Sequence, residues 1–286
     1  MSGCPRSVRA AGHTIRYTDC GSGPPLVLLH GAPTTSYVYR HVITQLRHDF
    51  RCIAPDFPGW GRSVAAPGFV PTLPALAGAA RAFLDALDLE GVTLAVMDTA
   101  GSVGFHLVQA DPGRFRGLIA ADTIVFPTRE HPRIHYMLKL VTTAPLRWVN
   151  RRFRLLPAAV IHFGGRRRRP GAEERSRYAQ DFATDAHLDR IMVTFRDLHD
   201  NHAFLADIAA GLPHMDLPVL VIAGEKDPVH RSGALTRLAR RLPNATFVEV
   251  PGEAHFPHEG DPETVAGAVL GWAVEAGILQ TGEGLA

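Results

Sequence analysis

Runs of consecutive apolar residues alternate along the chain with stretches in which apolar side chains recur every three or four positions. Pro25–Leu29, Arg51–Ala54, Val92–Met97, Gly117–Ala121, Leu217–Ala223 and Ala245–Val250 read as strands. Most are apolar throughout, as expected of strands covered on both faces. Tyr37, Tyr39, Val42, Ile43 and Leu46 fall at helical spacing, as do Leu73, Leu76, Ala80, Phe83, Leu84 and Leu87. Further helices are predicted after Asp98 as far as Ala110, over Ser232–Leu242 and over Pro262–Ala276. Asp111-Pro112 ends the first of these, because the residue before proline disfavours the α region. Residues from about 7 to 20 alternate like a short hairpin, with Gly21-Ser22-Gly23-Pro24 as its turn. This order predicts an α/β protein with a mostly parallel sheet flanked by helices.

The rhythm breaks at about Val125. From there to about Pro213 the sequence offers polar, arginine-rich and aromatic helical stretches without a convincing buried strand. The prediction is a core formed by residues 1–125 and 214–286, with 126–213 inserted as a helical cap over the carboxyl edge of the sheet. Open parallel sheets carry their sites at that edge.

Composition narrows the function. The 286 residues, 46% hydrophobic, suit one large domain with an insertion or two small domains. A formal charge of +2 implies no polyanionic partner. The run Arg166-Arg167-Arg168-Arg169-Pro170-Gly171 reads as a solvated loop before it reads as a nucleic-acid site. Cys4, Cys20 and Cys52 are odd in number and lack metal-ligand spacing, which fits free thiols in a reducing compartment. The N-terminus lacks a basic-then-apolar signal pattern, and no run reaches the ~18 apolar residues of a membrane span. The expectation is a cytoplasmic protein without membrane or nucleic-acid partners, metal or cofactor, acting as a monomer or homodimer.

The chemistry centres on Val96-Met97-Asp98-Thr99-Ala100-Gly101. A buried strand that turns sharply into a helix with a reactive side chain at the bend is a nucleophile elbow, written small-x-nucleophile-x-small-small. Here the nucleophile is a carboxylate, and Val96 is larger than the glycine often found in its position. Serine attacks carbonyl carbon. A carboxylate can displace a leaving group from saturated carbon, leaving an alkyl ester on the enzyme. The N-terminus of the following helix favours the anion this requires. The plainer reading makes Asp98 only a helix cap.

Two downstream loops supply partners. Pro218–Gly224 empties into Glu225-Lys226-Asp227-Pro228, and Val248–Val250 is followed by Gly252-Glu253-Ala254-His255-Phe256. Nucleophile, acid and histidine in that order can make a triad in which Asp227 fixes the tautomer of His255 and His255 activates water. Asp122, just after its own strand, is the alternative acid, with a turn residue as its plainer role. His30-Gly31-Ala32-Pro33 ends the first central strand, and the backbone amides of Ala32 and Thr99 could converge on an oxyanion. Gly31-Ala32-Pro33 is also simply a tight turn, with Pro33 a candidate cis residue.

With these residues in view, the chain resembles α/β-hydrolases that use an aspartate nucleophile, the haloalkane dehalogenases and epoxide hydrolases. The matching segments are His30–Tyr37, Ala54–Ser63, Asp98–Gly101, Gly224–Asp227 and Ala254–Phe256, and they span nearly the whole length. The wording after His30, the placement of Asp227 and Tyr178–Phe182 look most like the dehalogenase branch. The resemblance implies the α/β-hydrolase fold with a cap, no cofactor, and Asp98, Asp227 and His255 as the catalytic set. It also exposes departures. Dehalogenases typically follow the nucleophile with a tryptophan that holds the halide; here Thr99 stands there, and Ala32 offers only backbone. Trp148 lies about where other members carry a halide-binding tryptophan, or else belongs to the core of the cap. One lost charge-assisted donor is worth ~1.5–3 kcal/mol, roughly a tenfold to hundredfold rate penalty.

An epoxide needs a proton donor, in that family a pair of cap tyrosines. Tyr136 and Tyr178 are the candidates, with structural roles as their alternative. The expected activity is therefore hydrolysis of an epoxide or similarly activated C–X bond in a small apolar substrate, with dehalogenation as the alternative. Phe126, Trp148, Phe153 and Phe163 suggest the apolar pocket or the interior of the cap. A non-hydrolytic enzyme, like the luciferase that resembles this group, and a catalytically silent binding protein are the rivals.

Overall fold

The computed structural model describes residues 4–153, 155, 167–181 and 184–280. Among the described residues, eight strands form one sheet in the order β1-β2-β4-β3-β5-β6-β7-β8. They are β1 (Cys4–Ala10), β2 (His13–Cys20), β3 (Pro25–Leu29), β4 (Arg51–Pro55), β5 (Val92–Asp98), β6 (Phe115–Thr123), β7 (Val219–Gly224) and β8 (Ala245–Val250). β1 and β2 pair antiparallel, and β2 runs antiparallel to β4; every other pairing is parallel.

The apolar runs become central strands because both faces of the sheet are covered. Along β5, Val92, Leu94 and Val96 pack into one hydrophobic cluster and Ala95 and Met97 into the other. The first cluster takes in the helices Leu73–Ala86 and Ala100–Ala110. The second takes in Arg40–Leu46 and Pro262–Glu275. Thr72 caps the helix Leu73–Ala86 by accepting from the Ala75 amide at 3.3 Å, and proline occupies its first turn.

The hairpin differs from the sequence expectation. Its turn is Ala11-Gly12, with φ of +46° and +79°, and Gly21–Pro24 instead carries the chain from β2 to β3. Two left-handed residues match the twist of the flanking strands. Between Thr123 and Val219 the described residues form helices and no strand: Pro132–Val141, Ala144–Phe153, Ala172–Asp181, Asp185–Asp200 and His202–Gly211. These join the first cluster through Ile134, Leu138, Leu188, Ile191 and Phe195. Polar ties reinforce the join: Thr194 Oγ1 donates to the Pro71 carbonyl at 2.8 Å, and the Leu73 amide donates to Asp197 at 2.7 Å.

The arginine run is not simply solvated. Arg167 pairs with Asp261 at 2.6 Å and Arg168 with Glu174 at 2.6 Å. Arg166 and Phe163 lie outside the described residues. No described helix is long and apolar enough to cross a membrane.

Candidate active site

The carboxyl ends of β3, β5, β6 and β7 and the loop after β8 meet at one place. Asp98, the last residue of β5, has φ of +48°, in the left-handed region most side chains avoid. Its surroundings explain how the bend is tolerated. A Cβ on Gly31 would lie 2.5 Å from the Asp98 Cβ, and one on Gly101 would lie 1.6 Å from Thr123 Oγ1. That Thr123 hydroxyl donates to the Asp98 carbonyl at 2.6 Å. The large Val96 is accommodated from the helix side, because a Cβ on Gly104 would come within 2.4 Å of its Cγ1. The small residue missing from the strand thus reappears eight positions later.

His255 lies within hydrogen-bond reach of both Asp98 and Asp227. His255 Nε2 is 2.8 Å from Asp98 Oδ2, and its Nδ1 is 3.0 Å from Asp227 Oδ1. Asp227 is fully buried and caps the short helix Pro228–Arg231, its Oδ2 accepting from the His230 amide at 3.2 Å. Burial alone would depress the His255 pKa. Asp227 and then Asp98 outweigh it and hold the imidazole well above its ordinary value. The ring thus lies between two carboxyl groups that favour its protonated form. Burial pushes Asp227 upward, but His255 and donors including Asp122 and the His230 amide bring its net pKa below the usual value.

Asp122 is not a turn residue. β5 and β6 pair Met97 with Ala121 and Asp98 with Thr123, so Asp122 is bulged out of register with φ of +39°. The bulge turns its buried carboxyl toward β7, where both oxygens accept from the Gly224 amide at 3.1 and 3.3 Å. The Asp122 carboxyl also interacts with that of Asp227. Two carboxyls in such contact cannot both ionise, and burial followed by Asp227 raises the Asp122 pKa well above its ordinary value. Asp227, not Asp122, contacts His255.

The expected oxyanion donors are arranged differently from the sequence reading. The Thr99 amide donates to Asp98 Oδ1 at 2.5 Å. The Ala32 amide donates to Thr99 Oγ1 at 2.8 Å instead of reaching the carboxylate. A side chain intercepts the second backbone donor. The Ala32-Pro33 bond is cis.

His30 ties loops together. Its Nε2 accepts from the Phe57 amide at 3.0 Å and Nδ1 donates to the Gly31 carbonyl at 3.1 Å, which assigns a neutral tautomer. Burial depresses its pKa accordingly.

The leaving-group candidates fare less well. Trp148 and Tyr136 are 65% and 67% exposed. Tyr178 is buried, but its hydroxyl donates to Glu259 and accepts from Arg40 Nη1 at 3.3 Å. Its hydroxyl proton is directed at Glu259 and not at Asp98. Phe126 is buried beneath Arg237, whose guanidinium carbon is 4.1 Å from the ring centroid, and Phe153 is 58% exposed.

Sequence reasoning did not foresee the cluster around Arg40. Its guanidinium bonds Glu259 Oε2 at 2.9 Å and Glu174 Oε1 at 2.8 Å, and donates to the Tyr37 carbonyl at 3.0 Å. Arg40 opens the helix Arg40–Leu46 and Glu259 lies four positions after His255, while Glu174 and Tyr178 belong to the helix Ala172–Asp181.

A strand-to-helix bend carrying Asp98, with Asp227 and His255 after later strands of a mostly parallel sheet, is the arrangement of an α/β-hydrolase. Residues 24–262 match the alpha/beta hydrolase fold family, and the chain belongs to it. It is a hydrolase, and its relatives include haloalkane dehalogenases. Haloalkane dehalogenase 2 of Mycobacterium tuberculosis is 29% identical over 264 residues, covering 90% of each chain. The cis-3-alkyl-4-alkyloxetan-2-one decarboxylase of Shewanella oneidensis is 26% identical over 280 residues, 94% of this chain and 88% of the relative. Among solved structures, a putative ancestral haloalkane dehalogenase superposes with a TM-score of 0.85 at 25% identity, covering 96% of this chain and 99% of its own.

Proposed function

We propose that the chain hydrolyses a bond between tetrahedral carbon and a weakly basic leaving group, foremost a halide, through an ester on Asp98. The observation that carries this reading is His255 Nε2 lying 2.8 Å from the Asp98 carboxylate, backed by the buried Asp227. Asp98 Oδ2 attacks carbon from behind and the halide departs with the bonding pair. Forming the ester removes one of the two anions that keep His255 protonated. The imidazolium then releases its proton to solvent and becomes a base. It takes a proton from water, whose oxygen attacks Asp98 Cγ, and the negative charge collects on Oδ1. Collapse expels the alcohol, which takes its proton from His255, and leaves a water oxygen in the carboxylate.

Leaving-group basicity favours the halide over the epoxide that the sequence alone suggested. An epoxide releases an alkoxide, which needs an acid close to the reacting carbon. Tyr178 is committed to Glu259 and Arg40, and Tyr136 faces solvent. A halide needs only a hydrogen bond. So does the carboxylate released from a β-lactone, the ring in the name of the Shewanella relative, and strained lactones of this kind are the second reading. The inserted segment 126–213 serves as the cap, and the substrate is small and apolar.

The test combines mass spectrometry with product analysis. His255→Gln incubated with 1-bromobutane is expected to gain one butyl group on Asp98, and the wild-type protein to release bromide and butanol. Turnover in oxygen-18 water is expected to label the Asp98 carboxylate. A His255→Gln protein that stays unmodified while the wild type turns over would refute the covalent route.

A further inference from the structure

Thr99 occupies the position that would ordinarily be left to two backbone amides. Its own amide fixes Asp98 Oδ1 at 2.5 Å, and its hydroxyl takes the Ala32 amide at 2.8 Å. The residue is 4% exposed, so water does not compete freely for either group. A hydroxyl that accepts one hydrogen bond still has a proton to donate, and a donor on its oxygen makes that proton more acidic. Oγ1 belongs to the residue whose amide already holds Oδ1, so the shift of Oδ1 as Cγ becomes tetrahedral, with a small turn of the Thr99 side chain, brings the hydroxyl and that oxygen together. In the resting state the structure shows no hydrogen bond from this hydroxyl to the carboxylate, whose Oδ2 is held by His255.

We infer that the Thr99 hydroxyl is the second oxyanion donor, relaying the Ala32 amide to Asp98 Oδ1 as water adds to the ester. The inference rests on the alkyl-ester reading above and goes beyond it by assigning a side chain where two amides were expected. When water adds to Cγ, the carbon becomes tetrahedral and Oδ1 carries a full charge. The hydroxyl donates at that moment, so the bond is stronger in the transition state than in the ground state. Only a bond of that kind accelerates the step. Thr99 acts on ester hydrolysis and leaves the earlier displacement of halide alone.

Single-turnover kinetics with 1-bromobutane separate the two steps, and circular dichroism with thermal melting checks that each variant is folded. Thr99→Val keeps the shape but covers the Ala32 amide with a methyl group. Its bromide burst is expected within about threefold of wild type, while ester hydrolysis slows roughly a hundredfold, the ordinary cost of one oxyanion donor. The butyl-enzyme therefore accumulates. Thr99→Ser is expected to retain near wild-type hydrolysis. Thr99→Ala uncovers the Ala32 amide for Oδ1 and loses less than Thr99→Val. A slowed burst without accumulated ester would assign the hydroxyl to the departing halide and overturn the inference, as would a Thr99→Val enzyme that hydrolyses its ester at the wild-type rate. If His255→Gln itself forms no adduct, the covalent reading fails first and takes this inference with it; an adduct there with an unaffected Thr99→Val overturns the inference alone.

Discussion

Replacing Arg40 by methionine tests whether the buried charge cluster holds the inserted helices to the sheet. The side chain of Arg40 is 6% exposed, and those of Glu259 and Glu174 are 7% and 15% exposed. Methionine retains the apolar stem and removes the donors to Glu259, Glu174, Tyr178 and the Tyr37 carbonyl. Glu174 keeps Arg168 at 2.6 Å, the Gly171 amide at 2.8 Å and His41 at 3.0 Å. Glu259 is left with the Tyr178 hydroxyl and with Arg168 no nearer than 3.9 Å. Stranding one buried charge costs about 3–5 kcal/mol, and the residual partners place this case toward the lower end, at about 3 kcal/mol. At roughly 2–4 °C per kcal/mol for a domain somewhat smaller than this one, the melting temperature should fall by roughly 6–12 °C. Arg151→Met is the matched control. Arg151 pairs with Asp189 at 2.5 Å, but both side chains are more than 40% exposed, so its loss should cost about 0–1 kcal/mol. Urea denaturation at neutral pH measures both, with an unchanged slope showing that only stability moved. An Arg40→Met shift no larger than that of Arg151→Met would refute the reasoning.

Three further outcomes are expected. Asp122 has a raised pKa in the folded protein, so it holds its proton there at pH values where the unfolded chain has released it. Its contribution is complete below the unfolded value of 3.8 and is lost as pH rises through the folded one. Asp122→Asn, which keeps a donor toward Asp227, should therefore lose less stability than wild type between pH 5 and pH 8; parallel melting curves would contradict this. Gly101→Ala forces a Cβ to within 1.6 Å of the Thr123 hydroxyl that holds the Asp98 carbonyl. Overpacking of this kind costs about 1–3 kcal/mol, and bromide release should fall with it because the nucleophile loses its support. Asp227→Asn should reduce ester hydrolysis far more than the bromide burst, since it removes the carboxylate that orients His255 at 3.0 Å; equal losses in both steps would argue against that role.

The central strands were legible because they are apolar on both faces; Asp98 ends one of them and Asp227 follows another, while His255 follows β8, whose positions are mostly half-buried or exposed. The hairpin turn was obscured by Ala11, which carries none of the asparagine or aspartate signal usual at φ of +46°. Val96 looked like a flaw in the elbow because the space it needs is made by Gly104, on a different element. The Thr99 relay depends on a rotamer facing a residue 67 positions away, and the Arg40–Glu259 pair spans 219. Periodicity reports which face a residue takes, not which distant partner it meets there. Tyr178 shows this most directly: its buried hydroxyl suited a proton donor until Glu259 and Arg40 were seen to occupy it.

The left-handed backbone at Asp98 has a consequence for how such enzymes diverge. Gly31, Gly101 and the Thr123 hydroxyl support the main chain of that residue and its first side-chain carbon, without touching the oxygen that faces His255. The bend is thus a holder that does not depend on the group it presents. On the covalent route proposed above, a hydroxyl or thiol at position 98 would be presented by the same bend to the same imidazole, and reactivity would move from alkyl to acyl carbon without any refolding of the scaffold.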